Sequence, residues 1–93
     1  LARRQSLSDR IAASLQRALR EGAHEPEGVC RALLSLDPTN EEAARALMRL
    51  RVEAGDVGGA LGLYKHLWDL LAEEYDTEPS RETQDLVAQI KMG

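Results

Sequence analysis

Apolar residues recur along this chain at spacings of three and four, and the runs are punctuated by Gly, Pro and short polar clusters. That is the period of a helix face, and no segment offers the alternation of a paired strand. A first helix is expected to start near Ser6 or Ser8, with Asp9 against the positive end of its dipole. Its inward face would carry Leu7, Ile11, Leu15, Ala18 and Leu19, and Gly22 would stop it. Residues 1–5 read as a linker or frayed end. Pro26 suits the first turn of a second helix bearing Val29, Cys30, Leu33, Leu34 and Leu36. Gly28 weakens that helix, and Asp37-Pro38 ends it, because a residue before proline is pushed out of the helical region.

Thr39 and Glu42 stand at capping-box spacing, so a third helix should open there and run to about Ala54. Its inward positions would be Ala43, Leu47, Leu50 and Ala54, with Gly55-Asp56 making the turn. The fourth helix, about 57–75, is the most apolar, with Ala60, Leu61, Leu63, Tyr64, Leu67, Trp68, Leu70 and Leu71 spread over two flanks. Such two-sided hydrophobicity predicts neighbours on both. The break at 76–79 is followed by Ser80, which caps a last helix carrying Thr83, Leu86, Val87 and Ile90. Five helices joined by short turns should lie antiparallel in sequence order, an all-α fold.

The helices also repeat. A tetratricopeptide unit of about 34 residues sets a small residue four positions before an aromatic on its second helix and a Pro near its end. Ala60 and Tyr64 supply that pair after Gly55-Asp56, which places one repeat at 41–74. Pro38 then falls where the preceding repeat's terminal Pro belongs. The small residue lets two helices approach closely, and the aromatic fills the wedge beside it. Leu47 matches the first-helix Leu, while Ala44 and Met48 replace the usual Trp and Gly. The first unit, roughly 7–40, is more degenerate, with Pro26 or Glu27 in the small-residue place. The expected architecture is a tetratricopeptide-like stack of about five antiparallel helices in a short right-handed superhelix. An ordinary five-helix bundle would share the same local periodicity.

The stretch Ala54-Gly-Asp-Val-Gly-Gly-Ala-Leu-Gly-Leu-Tyr64, followed by Leu70-Leu-Ala-Glu-Glu-Tyr-Asp-Thr-Glu-Pro-Ser-Arg-Glu-Thr83, resembles the bacterial transcriptional activator domain. The upstream Leu36-Asp-Pro-Thr-Asn-Glu-Glu-Ala43 segment matches as well. The resemblance covers residues 36–90 well and 10–91 loosely. It implies a regulatory domain that works through dimerisation or through contacts with neighbouring domains or transcription machinery. In regulators of this type the domain follows a winged-helix DNA-binding domain, none of which lies in this chain. Glu78-Pro79-Ser80 reads as a rigid turn plus N-cap that aims the last helix back against residues 60–71.

Composition narrows the function. The chain of 93 residues is one small domain's worth, and the absent initiator Met marks it as an expected piece of a longer protein. Net charge is −4, unevenly placed: residues 1–51 carry nine Arg against seven acids, and residues 52–93 carry three basic residues against nine acids. Neither half has the basic stripe that gripping a phosphate backbone needs, so no direct nucleic-acid contact is expected. No apolar run approaches the roughly 20 residues of a membrane span. The single Cys30 excludes an internal disulfide and fits a reducing, cytoplasmic setting.

Enzyme chemistry finds no foothold. Gly55, Gly58, Gly59 and Gly62 crowd a turn without the Lys-Ser/Thr of a phosphate loop, and read as a turn with close helix contact. His24 and His66 lack partners at metal-ligand spacing, and His66 with Asp69 reads as a surface pair. No cofactor is expected, and Cys30 on an apolar face reads as a buried thiol. In a stack of this kind the first helix of each pair lines the concave surface, which assigns Glu42, Arg45, Arg49, Val52 and Glu53 to the groove. Arg45 and Arg49 could clamp an acidic or C-terminal peptide. The simpler expectation is neutralisation within the helix, Glu42 with Arg45 and Arg49 with Glu53. The landmarks expected to shape the surface are Pro38, Leu47, Gly55, Ala60, Tyr64, Trp68, Pro79 and Ser80. A protein or peptide partner, neighbouring domains, or a second copy forming a homodimer would use it. The alternative is a generic peptide-binding repeat module of a multidomain signalling protein.

Overall fold

The computed structural model describes the backbone of residues 2–93 and the side chains from Asp9 onward. Among these residues all regular structure is helical: α1 (Ala2–Arg20), α2 (Pro26–Leu36), α3 (Glu41–Glu53), α4 (Val57–Tyr75) and α5 (Arg81–Met92). The first helix begins at Ala2, earlier than Ser6 or Ser8, because Ala, Arg and Gln at 2–5 are good helix formers and nothing in them stops propagation backwards. Gly22 ends the turn after α1 at φ 81°, where a Cβ would be strained.

The turns follow their local chemistry. Pro26 occupies the first turn of α2. The cap of α3 is Asn40, not Thr39: the Asn40 side chain accepts from the Ala43 amide at 3.1 Å. Thr39 sits one residue too early, and its amide and hydroxyl both donate to Asp37 Oδ1, at 3.0 and 2.7 Å, closing an Asx-type turn. Such a cap contributes about 1 kcal/mol. Asp56 caps α4 by accepting from Gly59 N at 2.8 Å. A Cβ on Gly59 would run into the Asp56 carboxylate, so this glycine makes room for the cap. A Cβ at Gly58 or Gly62 would meet nothing within 4 Å beyond its own stretch of helix, so the close helix contact expected of them is absent. Ser80 caps α5, its hydroxyl accepting from the Thr83 amide.

The helices pack in sequence order: α1 on α2, α2 on α3, α3 on α4, with α5 laid across both α3 and α4. The slab is 18 Å at its thinnest, about two helix diameters. This is a helical-repeat arrangement of two hairpins and a closing helix, and α3 and α4 pair most extensively. Its central cluster is Ala44, Met48, Ala60, Leu67, Leu71 and Val87. Ala60 is fully buried, which is what a close crossing of α4 on α3 requires, while Tyr64 beside it is half-buried.

The inward face of α3 is rotated from the expected one. Ala43 and Leu47 are buried, but so are Ala44 and Met48, while Leu50 is half-buried and Ala54 exposed. A helix flanked by α2 on one side and α4 on the other needs a broad inward arc, and that arc is centred between 44 and 47. On α2, Cys30 and Leu33 are buried and Leu36 is 43% exposed; on α1, Ile11 is 45% exposed.

Candidate interaction surface

The side of the slab lined by α1, α3 and α5 carries two adjoining clefts. One, of about 450 Å3, lies between α3 and α5 and is walled by Val52, Val57, Leu86 and Ile90, with Arg49 and Glu53 at its rim. The other, of about 280 Å3, lies between α1 and α3 against Leu19, Arg20, Glu42 and Leu50. Arg49 borders both. Its side chain is exposed and takes part in no ion pair among the described residues. The five groove positions named from the sequence therefore divide: Arg49, Val52 and Glu53 line the larger cleft, Glu42 the smaller, and Arg45 neither.

Of the two intrahelical pairs expected on α3, Glu42 with Arg45 is replaced by ties between helices, and Arg49 with Glu53 does not form among the described residues. Glu42 accepts from Gln16 at 2.8 Å and from Arg20 Nε and Nη2 at 2.9 Å each, so a bidentate guanidinium joins α1 to α3. The Arg20 hydrogen bonds, opposed by partial burial, hold the Glu42 carboxyl below the usual range. Arg45 donates to Thr83 Oγ1 at 2.9 Å and pairs with Glu82 at 3.4 Å. Its side chain is only 13% exposed, so its guanidinium is a strut between α3 and α5. Tertiary neighbours win because a partner on a facing helix meets the guanidinium where it already lies, whereas an intrahelical pair must bend both side chains along the surface.

A second tie lies under the strut. Glu41 Oε1 accepts from the Ser80 amide at 2.9 Å and from the Thr83 hydroxyl at 2.7 Å. Thr83 is fully buried, and Pro79 beside it is buried too. Burial raises the Glu41 carboxyl, but the hydrogen bonds from Thr83 and Ser80 outweigh it and hold the group below its ordinary value. The turn at 79–80 thus aims α5 at the start of α3 as well as at α4, a broader docking than the expected one against residues 60–71. Sequence reasoning missed Glu41 and Thr83. A Thr on the apolar stripe of α5 was the one available signal, since a buried hydroxyl needs a partner.

Leu47 is buried, Gly55 turns at φ 82°, and Pro38 is exposed. Asp69 pairs with Lys65 at 3.8 Å rather than with His66, a helix-favoured i,i+4 spacing. Cys30 is fully buried, and burial together with the Glu27 charge pushes its thiol up, away from the nucleophilic thiolate. Among the described residues no three His, Cys, Asp or Glu side chains gather as a metal site, and no helix is long and apolar enough to cross a membrane.

No curated protein and no solved structure matches the chain significantly. The family profile of the bacterial transcriptional activator domain matches residues 2–91. With a match spanning both hairpins and the closing helix, the chain belongs to the bacterial transcriptional activator domain family.

Proposed function

We propose that this chain is a non-catalytic protein–protein interaction domain of a cytoplasmic bacterial transcriptional regulator, and that the cleft between α3 and α5 receives the partner. The observation that carries the reading is the apolar cleft itself: four aliphatic side chains reaching solvent where α3, the start of α4 and α5 meet, with one anion and one cation, unpaired among the described residues, at the rim. Such a groove suits an amphipathic helix that lays an apolar stripe into it and offers opposite charges to Arg49 and Glu53. A helix from a neighbouring domain of the same regulator is the occupant favoured by family membership, which places the domain inside bacterial transcriptional activators. The same membership favours this reading over a peptide-binding module of an unrelated signalling protein. Helices tied by charged struts at 41–45 and 80–83 keep the groove stiff, so little ordering cost attends binding.

Val57→Glu and Arg49→Glu, each in the whole regulator, test the proposal. Both side chains reach solvent, so helicity and unfolding midpoint should stay within a small margin of wild type. Reporter transcription and retention of the partner domain should fall together. Unaltered transcription and retention in both variants sinks the proposal. Sedimentation of the chain across a concentration series separates the homodimer version, for which the mass must rise with concentration.

A further inference from the structure

The opposite end of α4 carries a surface that the cleft does not explain. Trp68 is 38% and Tyr75 61% exposed, although the chain has only three aromatic residues. Trp68 is held by Tyr64, whose ring lies 6.0 Å away in an edge arrangement at 66°, so the indole is presented in a fixed orientation. A shallow cleft of about 450 Å3 runs from it along Ala72 to Asp76, Thr77 and Glu78.

The floor of that cleft is rigid. Asp76 adopts the left-handed region at φ 51°, and the amides of Asp76 and Thr77 both hydrogen-bond to the Leu71 carbonyl. Gln84 ties the turn from below, donating to the Pro79 carbonyl at 2.8 Å and to Glu78 at 3.3 Å. Asp76 and Glu78 thereby line the same cleft as the indole. Among the described residues neither Asp76 nor Glu78 is in an ion pair, nor are the neighbouring exposed Glu73 and Glu74. The whole segment 52–93 has a charge of −6, three basic residues against nine acids, so its field draws cations toward this end.

We propose that the Trp68–Asp76–Glu78 cleft is a second docking site, which takes an arginine side chain from a basic segment of a partner protein. A guanidinium is flat, stacks on an indole, and offers forked donors to carboxylates, so one group satisfies both halves of the site. Lysine, a compact strongly hydrated charge, would use the carboxylates but stack less well.

Trp68 is the only tryptophan, so its emission reads the site directly. The chain is titrated with a flexible Gly/Ala peptide bearing two adjacent arginines, and with the same peptide carrying two lysines or two glutamates. The arginine peptide should change the emission saturably, bind about threefold more tightly than the lysine peptide, and weaken as salt is raised. The glutamate peptide should do nothing. Asp76→Asn with Glu78→Gln keeps a residue tolerant of the left-handed turn, and should leave helicity intact while weakening the arginine peptide about fivefold. The proposal is overturned by the absence of saturation, by equal affinity for arginine and lysine peptides, or by the double variant binding as wild type does. An emission change that follows protein concentration alone, without peptide, would instead make a second copy the occupant and overturn it too.

Discussion

The two hairpins of this domain are built differently. The second, α3 with α4, shares with α5 an apolar cluster in which Met48 and Ala60 are wholly buried and Leu67 nearly so. In the first, α1 contributes no fully buried residue among its described side chains: Leu15, Ala18 and Leu19 are half-buried and Ile11 is exposed. α1 is instead tied by the Glu42 bridge to Arg20 and Gln16, whereas α2 buries Cys30 and Leu33 completely and adds an Arg51–Glu27 pair to α3, 2.9 Å apart. Burial scales with area and is insensitive to salt, whereas ion pairs at the surface are individually weak and screened. The contrast in burial thus sets a firm platform at 26–92 against a softer first helix before it.

That contrast can be broken or sharpened by measurement, and the largest effect belongs to the core. Met48→Ala should cost about 2–5 kcal/mol in urea unfolding, because the site is enclosed on every side and collapses poorly. Ile11→Ala should stay within about 0.5 kcal/mol. Equal losses from the two would dissolve the distinction between the platform and the first helix. Next comes the polar seam holding α5: Thr83→Val keeps the shape but leaves Glu41 and Arg45 short of a partner in a buried place, for an expected loss of about 1–3 kcal/mol. A neutral result would mean that apolar contact alone seats α5.

Acid supplies the third test. Glu27, Glu41 and Glu42 all sit below the ordinary glutamate range in the folded chain, Glu27 through its hydrogen bonds from Arg51 and Arg31. Each binds a proton less readily folded than unfolded, so each adds stability that is complete above the unfolded value of about 4.3 and drains away as pH falls through the lower folded values. The urea midpoint should hold between neutral pH and about 5.5 and drop below about 4.3, and a flat midpoint down to pH 3 would contradict these ties. The smallest effect among the charged ties is expected from Glu42→Gln, about 0.2–1 kcal/mol at low salt and less at high salt. Hydrogen exchange should show where that loss falls, with α1 amides opening faster and those of α3 and α4 little changed. Uniform protection along all five helices would argue for one cooperative unit.

Much of this architecture was legible beforehand, for reasons visible in particular residues. Pro26, Gly55, Asp56 and Ser80 act through their own backbone and near neighbours, so the starts of α2, α4 and α5 follow from a few consecutive letters. Ala60 and Tyr64 set the repeat register for the same reason, since a small residue four places before an aromatic is a local statement about helix approach. The choice between Thr39 and Asn40 was less legible, because both are good caps and one residue of offset decides which faces the N3 amide. The candidate surface was partly readable: Arg49, Val52 and Glu53 share a face by spacing alone, and that face borders the larger cleft.

What the chain's order of residues determined by itself was the helices, their punctuation and the repeat, since helical periodicity, caps and turns are interactions over a few positions. What only the tertiary structure decided was the pairing of its charges and the seat of its last helix. Glu42 lies 22 residues from Arg20, and Glu41 lies 42 from Thr83. No local pattern ranks such distant partners, because long side chains choose among every opposite charge the packing brings within reach, and packing is settled by the apolar faces first.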